Sequence, residues 1–209
     1  MVFLRLKTQV RKFFAPYLDI VEGNILFPYT LKNQVVENER WSENSVRDPV
    51  TQGIWLAANS LPLSVTDLFI GHSARDIICF CHFYTNWIIP HCPCAFASLG
   101  LLPTKGQFTG LKTVFTNAKI HTVFDGGLSG RVADCKVASW QIGMSAMFSI
   151  VDENVEFFCK KKRYIIPIEN FSLNCFEKMS GIRANIRTHK PKAHFETFYQ
   201  SFAKGVLSK

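Results

Sequence analysis

Long apolar runs are missing from this chain: stretches such as Ile77-Ile78-Cys79-Phe80-Cys81 fall well short of the ~18 residues of a membrane-spanning helix. A secretion signal is missing too, because Arg5, Lys7, Arg11 and Lys12 interrupt the apolar N-terminus before an h-region can form. Val2, Phe3, Leu6, Val10, Phe13 and Phe14 alternate with those charges in the manner of an amphipathic helix. These absences predict a cytoplasmic protein without a membrane partner. The odd cysteine count, 7, fits free thiols in a reducing compartment rather than a disulfide framework. No internal repeat and no low-complexity segment occurs.

Acidic residues are few, 16 against 24 Lys and Arg, which leaves a net charge of +8. Residues 1–104 hold 8 basic and 8 acidic side chains, whereas residues 105–209 hold 16 and 8, so the second half carries the whole excess. A basic half beside a neutral one points to a polyanion, nucleic acid before others; solubility alone is the plainer reading. What the chain has in quantity is core material: 47% of its residues are hydrophobic and 19 are Phe. At 209 residues that suits one domain of moderate size with an appended subdomain.

Short strand-like segments (Asn24 to Pro28, Gln34 to Val36, Gly53 to Leu56) are separated by polar turns and read as a small antiparallel sheet. From residue 67 the rhythm changes. Leu68-Phe69-Ile70 ends at Gly71, and Ser73 is placed to cap a helix reaching about Tyr84. Cys94 to Ala97 and Ile120 to Phe124 are further strands, and helices are expected around Phe108 to Thr116 and Ser129 to Trp140. Such alternation implies a mostly parallel sheet with ligands at the carboxyl ends of its strands, where Gly71-His72 and Asp125-Gly126-Gly127 fall. Val155 to Ile166 reads as a hairpin and Phe171 to Met179 as a helix closed by Gly181. A last helix has Pro191 near its start and a core stripe of Phe195, Phe198, Tyr199 and Phe202.

The stretch Leu68-Phe69-Ile70-Gly71-His72-Ser73-Ala74-Arg75-Asp76 resembles the first motif of the Toprim (topoisomerase-primase) family, and Val123-Phe124-Asp125-Gly126-Gly127-Leu128-Ser129-Gly130-Arg131 resembles the second. Ala97-Ser98-Leu99-Gly100 falls where primase-like members carry a Ser-Leu-Asn-Gly turn, and the lead-in from Ile25 to Leu56 looks like that of primase-like proteins of bacterial mobile elements. The resemblance covers roughly residues 23–150, and more weakly the tail around Phe171 to Asn174 and Ile186 to Pro191. It implies an α/β fold in three parts: an N-terminal helix with a small antiparallel β preface over 1–66, a Toprim-like, mostly parallel core with flanking helices over 67–151, and a basic hairpin-helix extension over 152–209.

The departures bear on activity. In Toprim enzymes the first motif supplies a Glu as general acid/base and the second an Asp-x-Asp pair for Mg²⁺; here His72 and Gly127 stand at two of those positions and only Asp125 remains. One carboxylate with waters holds Mg²⁺ weakly at best, and no other cofactor is expected. Asp76 and Asp134 are the acids near enough in sequence to be considered as substitutes. Losing two carboxylates also removes repulsion from a place built for phosphate, which would leave Arg75, Arg131 and Lys136 to meet a nucleic acid. The hairpin tip Lys160-Lys161-Lys162-Arg163 and the group Arg183, Arg187, Lys190 and Lys192 are further candidates for the phosphate backbone, or solvated faces. Cys79, Cys81 and His82 precede His91, Cys92 and Cys94, but this spacing does not gather four zinc ligands, so core thiols are expected.

The expectation is thus a catalytically impaired Toprim-like protein that binds nucleic acid, or a replication or mobilisation protein, in mobile-element or phage DNA metabolism. Two alternatives stand beside it. One is a metal-dependent primase or nuclease using Asp125 with a substitute ligand; the other is a protein-interaction module with a basic face.

Overall fold

The computed structural model describes residues 2–42, 46–89, 92–192 and 194–207. His91 and part of the turn-rich stretch expected after Asn44 lie outside them. The chain opens with helix α1 (Thr8–Phe14), which buries Val10 and Phe14 as its pattern predicts. Strands β1 (Asp19–Val21), β2 (Asn24–Leu31), β3 (Gln34–Trp41) and β4 (Val46–Arg47) then form an antiparallel sheet in sequence order. β2 buries alternate residues Ile25, Phe27 and Tyr29, the period-two pattern of a strand with one face inward.

The central element is a five-stranded, mostly parallel sheet. Its strands are β5 (Trp55–Ala58), β6 (Asp67–Gly71), β7 (Cys94–Ser98), β8 (Lys119–Thr122) and, after three further strands, β12 (Arg187–Thr188), in the order β12-β8-β6-β7-β5. β7, β6, β8 and β12 run parallel, and β5 closes one edge antiparallel to β7. Helices α2 (Ala74–Phe83), α3 (Lys105–Val114) and α4 (Leu128–Gln141) connect and flank these strands. The remaining elements are an antiparallel sheet of β9 (Met147–Val151), β10 (Asn154–Cys159) and β11 (Lys162–Pro167), then α5 (Leu173–Ser180) and α6 (Phe198–Leu207).

Side chains of the central strands alternate between two cores. Phe69 and Phe96 face the cluster holding α1, α2, the first sheet and α6, while Leu68, Ile70, Ala95 and Ala97 face the cluster under α3 and α4. A third cluster, around Phe157, Phe171 and Phe176, lies beneath the last antiparallel sheet. Each buried Phe contributes roughly 1.5–3 kcal/mol of hydrophobic stabilisation.

Three expectations are corrected. Trp55–Ala58 belongs to the central sheet, not to the first antiparallel one: Trp55 to Ala58 pair with Ser98 to Ala95 of β7. Arg187–Thr188, where the sequence predicts no strand, form one beside β8, because two residues carry too little pattern to be seen. The last helix begins at Phe198, well after Pro191, although Phe198 and Phe202 of its stripe do enter the first core. Among the described residues no helix is long and apolar enough to cross a membrane.

Two glycines make opposite demands. Gly130 sits in the first turn of α4, where an added Cβ would meet the carbonyl oxygen of Asp125 at 2.1 Å. Gly110 sits mid-way along α3 with nothing within 4 Å. In urea denaturation, Gly130→Ala is expected to lose about 1–3 kcal/mol through forced displacement of the Asp125 turn, and Gly110→Ala to gain about 0.5–1 kcal/mol from helix propensity. Equal effects at the two positions would contradict the close approach at Gly130.

Candidate strand-end functional site

His72 follows the last residue of β6, and Asp125 lies three residues beyond β8, the neighbouring parallel strand. The two motifs therefore converge: His72 Nδ1 lies 2.9 Å from Asp125 Oδ2. The same carboxylate accepts from the Ser129 hydroxyl at 3.0 Å and, through Oδ1, from the Gly130 N–H at 3.1 Å. Burial alone would raise the Asp125 pKa, but His72, Ser129 and Gly130 outweigh it and bring it down to about 2. Asp125 is thus ionised at neutral pH, so His72 Nδ1 carries the hydrogen between them.

Three internal donors occupy the carboxylate on both oxygens. Asp125 is moreover a single carboxylate, whereas Mg²⁺ asks for several oxygen ligands in near-octahedral array, so the residues do not fit that ion. Position 127 adds none, and a Cβ there would already meet Asp125 Oδ1 at 3.0 Å. The other two acids are held elsewhere. Asp76 is buried, with its carboxylate bonded to the Ser73 hydroxyl and to the backbone N–H of Tyr199 at 2.7 Å. Asp134 accepts from Thr122 Oγ1 at 2.6 Å and pairs with Lys190 Nζ at 2.7 Å.

Beside these residues opens a cleft of about 660 Å³, lined by Gly126, Gly127, Arg131, Asp134, Ser172, Lys190 and His194 among others. Gly127 is the N-cap of α4 and offers no side chain; the ionised Asp125 carboxylate takes the Gly130 N–H of that first turn, so the start of the helix beside the cleft is already met by a negative charge. Arg131 lines it but spends one nitrogen, NH1, on the carbonyls of Ile168 and Phe171, at 2.9 and 2.8 Å. Lys190 spends its ammonium on Asp134 and on the carbonyls of Phe124 and Asp125.

The expected phosphate contacts thus separate. Arg75, expected to face phosphate, is 3% exposed and paired with Asp48 at 3.0 Å, with its guanidinium over the Tyr199 ring. It is turned into the core because α2 packs its first turn against β3 and α6. Lys136 is half-buried on α4. At the hairpin, Arg163 pairs with Glu156 and Lys160 donates to the carbonyls of Ser180 and Gly181, while Lys161 and Lys162 are exposed. Arg183, Arg187 and Lys192 are exposed along the segment that walls the cleft.

A residue that the motifs do not contain sits behind the site. Glu39 of β3 is fully buried, and its carboxyl accepts from the backbone N–H groups of Ala74 and Arg75, at 2.7 and 3.0 Å, at the start of α2. From it three short oxygen contacts run in series: Glu39 Oε2 to the Tyr29 hydroxyl at 2.8 Å, Tyr29 to Ser98 Oγ at 2.6 Å, and Ser98 to the carbonyl of His72 at 2.7 Å. Tyr29 donates to Glu39 and Ser98 donates to the His72 carbonyl, so the buried carboxyl is tied through two hydroxyls to the backbone of the strand-end site. Burial pushes the Glu39 pKa up to about 7, against the opposing charge of Arg75. Only the alternation of β3, which turns a Glu inward, signals this residue in the sequence. A second polar line, Asp67–His121–His189, has 2.9 Å contacts at each step. Burial lowers the pKa of both imidazoles, that of His189 to about 4.

The raised pKa of Glu39 has a definite sign in stability. Between pH 4.5 and about 7 the native state holds a proton that the unfolded chain releases, so this contribution falls as pH rises. His189 acts oppositely between about 4 and 6.5, gaining stability with rising pH, so a difference measurement is needed. The unfolding free energy of the wild type minus that of Glu39→Gln is expected to drop by about 3 kcal/mol across that window. A difference that does not change with pH would place the proton elsewhere.

No protein-family profile matches the chain, and no curated protein sequence does. Among solved structures, the crystal structure of the primase fragment of the bacteriophage T7 primase-helicase protein is similar to it, with a TM-score of 0.45 and 14% identity. The match covers 65% of this chain and 57% of that one, so the chain spans little over half the length of the fragment it resembles.

Proposed function

We propose that this protein holds nucleic acid through a Toprim-like strand-end cleft without performing metal-dependent phosphodiester chemistry. What supports this above all is the Asp125 carboxylate, occupied by His72, Ser129 and Gly130 at the very place where the resembling enzymes collect Mg²⁺. The imidazole stands where a general acid/base carboxylate is expected and serves as a hydrogen-bonding partner of Asp125. The cleft keeps features suited to phosphate: the Arg131 guanidinium and a wall formed by the segment that carries Arg183, Arg187 and Lys192. Asp134 and Glu196 also line it, so its own charge is mixed, and the exposed basic residues outside it supply the attraction. Affinity of this kind is sequence-tolerant and salt-sensitive.

Titrations of labelled single- and double-stranded DNA and RNA at two salt concentrations test the reading. Binding is expected to weaken steeply with salt. The triple variant Arg183→Ala, Arg187→Ala, Lys192→Ala should lower affinity and flatten the slope of log K against log salt by up to about 3 units. Fold is expected to be unaffected, since all three side chains are exposed. Absence of saturable binding at low salt would favour an acidic protein partner instead. Mg²⁺-dependent cleavage or primer synthesis abolished by Asp125→Ala would make the protein an enzyme.

A further inference from the structure

We infer that Asp67, Cys92 and Cys94 form a binding site for a thiophilic divalent cation, zinc foremost, at the opposite end of the central sheet from His72. Asp67 opens β6 and Cys94 opens β7; the two residues are direct partners in the parallel pairing. One ligand atom from each of the three residues lies within 4.8 Å of the others, and the two sulfurs are 3.2 Å apart. Two thiolates and a carboxylate are a donor set for zinc rather than for Mg²⁺ or Ca²⁺. Tetrahedral zinc with Zn–S near 2.3 Å places its sulfurs about 3.8 Å apart, so the pair has to spread by roughly 0.6 Å and the carboxylate to close by about 1 Å. Both are side-chain adjustments.

The surroundings hold these groups in place. The turn from Cys92 to Cys94 is clamped by Asn59, whose amide donates to the carbonyl of Cys92 at 2.8 Å and accepts from the N–H of Cys94 at 2.9 Å. The carbonyl of Pro93 accepts from the N–H of Thr66. Asp67 in turn accepts from His121 Nε2 on one oxygen, at 2.9 Å, and from the Thr66 hydroxyl on the other, at 2.7 Å. His121 is buried and held by His189, so the carboxylate has the ordered outer shell that metal-ligating groups need. Cys92 and Asp67 are partly exposed, which gives an ion a path and leaves a fourth position for water. On binding, the two thiols become thiolates and release their protons to solvent. The spacing of Cys79 and Cys81 with the later cysteines conceals the site, because its third ligand comes from a strand start some 25 residues earlier in the chain.

The test uses the full chain, reduced and stripped with a chelator, titrated with Co²⁺ alone and then with Zn²⁺. One equivalent of Co²⁺ should produce the thiolate-to-metal charge-transfer band of a tetrahedral site, and Zn²⁺ should abolish it. Cys92→Ser and Asp67→Asn should each weaken the affinity by at least about tenfold, whereas Cys175→Ser, a partly exposed thiol elsewhere, should not. On the wild type, Zn²⁺ should slow alkylation of Cys92 mapped by peptide mass. No charge-transfer band with intact thiols, unchanged affinity in Cys92→Ser, no protection of Cys92, or a Cys92–Cys94 disulfide that forms in place of metal binding would each overturn the site.

Discussion

A helix that begins inside a protein must find partners for its first N–H groups, and α2 finds two of them in a side chain from a different sheet. Glu39 meets the N–H groups of Ala74 and Arg75, and the Ser73 hydroxyl takes that of Asp76. Much else hangs on that junction. Because α2 is capped from β3, the first antiparallel sheet is fixed against the central one, and Arg75 is drawn inward to Asp48 rather than outward to solvent. Asp76, one step further along, repeats the device by taking the N–H of Tyr199 near the start of α6. Three layers are thereby joined through two buried carboxyl groups, each taking N–H groups that a helix start leaves without partners. Removing one member of such a buried set typically costs about 3–5 kcal/mol, because the partners stay behind unpaired.

The same economy of internal bonds governs the strand ends. His72 and Asp125 satisfy one another, Ser129 and Gly130 complete the carboxylate, and Lys190 closes over Asp134 and two carbonyls. A constellation that in a metal enzyme would stay underbonded until an ion arrives is here complete within the chain. The consequence is a site that offers little to a ligand needing a bare carboxylate.

Legibility in the sequence followed the strength of local pattern. The β-α alternation from Leu68 to Trp140 was readable because each element carries its own signal: apolar strands ending at glycine, and Ser73 as a cap confirmed by its bond to the Asp76 N–H. The convergence of His72 and Asp125 was readable from motif order. The fates of the charged side chains were not. Arg75 is a helix-surface residue by spacing, and only the packing of α2 against β3 and α6 buries it. Glu39 lies between Asn38 and Arg40 in a polar-looking strand, and nothing local says that its partners are N–H groups 35 residues away. Lys190 likewise reads as an exposed loop cation until the chain folds it onto Asp134.

Strand β12 lends the central sheet a further property. β8 is in place by Thr122, yet its outer side is covered only when Arg187 and Thr188 pair with His121 and Thr122, and the N–H of His189 reaches the carbonyl of Thr122. Until then a parallel strand presents a row of unpaired backbone groups, an invitation to pair with another chain. On the ribosome that interval lasts for more than sixty residues of synthesis, so the nascent protein carries an open edge long after its α/β centre has the means to form. The short C-terminal strand, small as it is, makes the difference between a finished sheet and one that recruits neighbours.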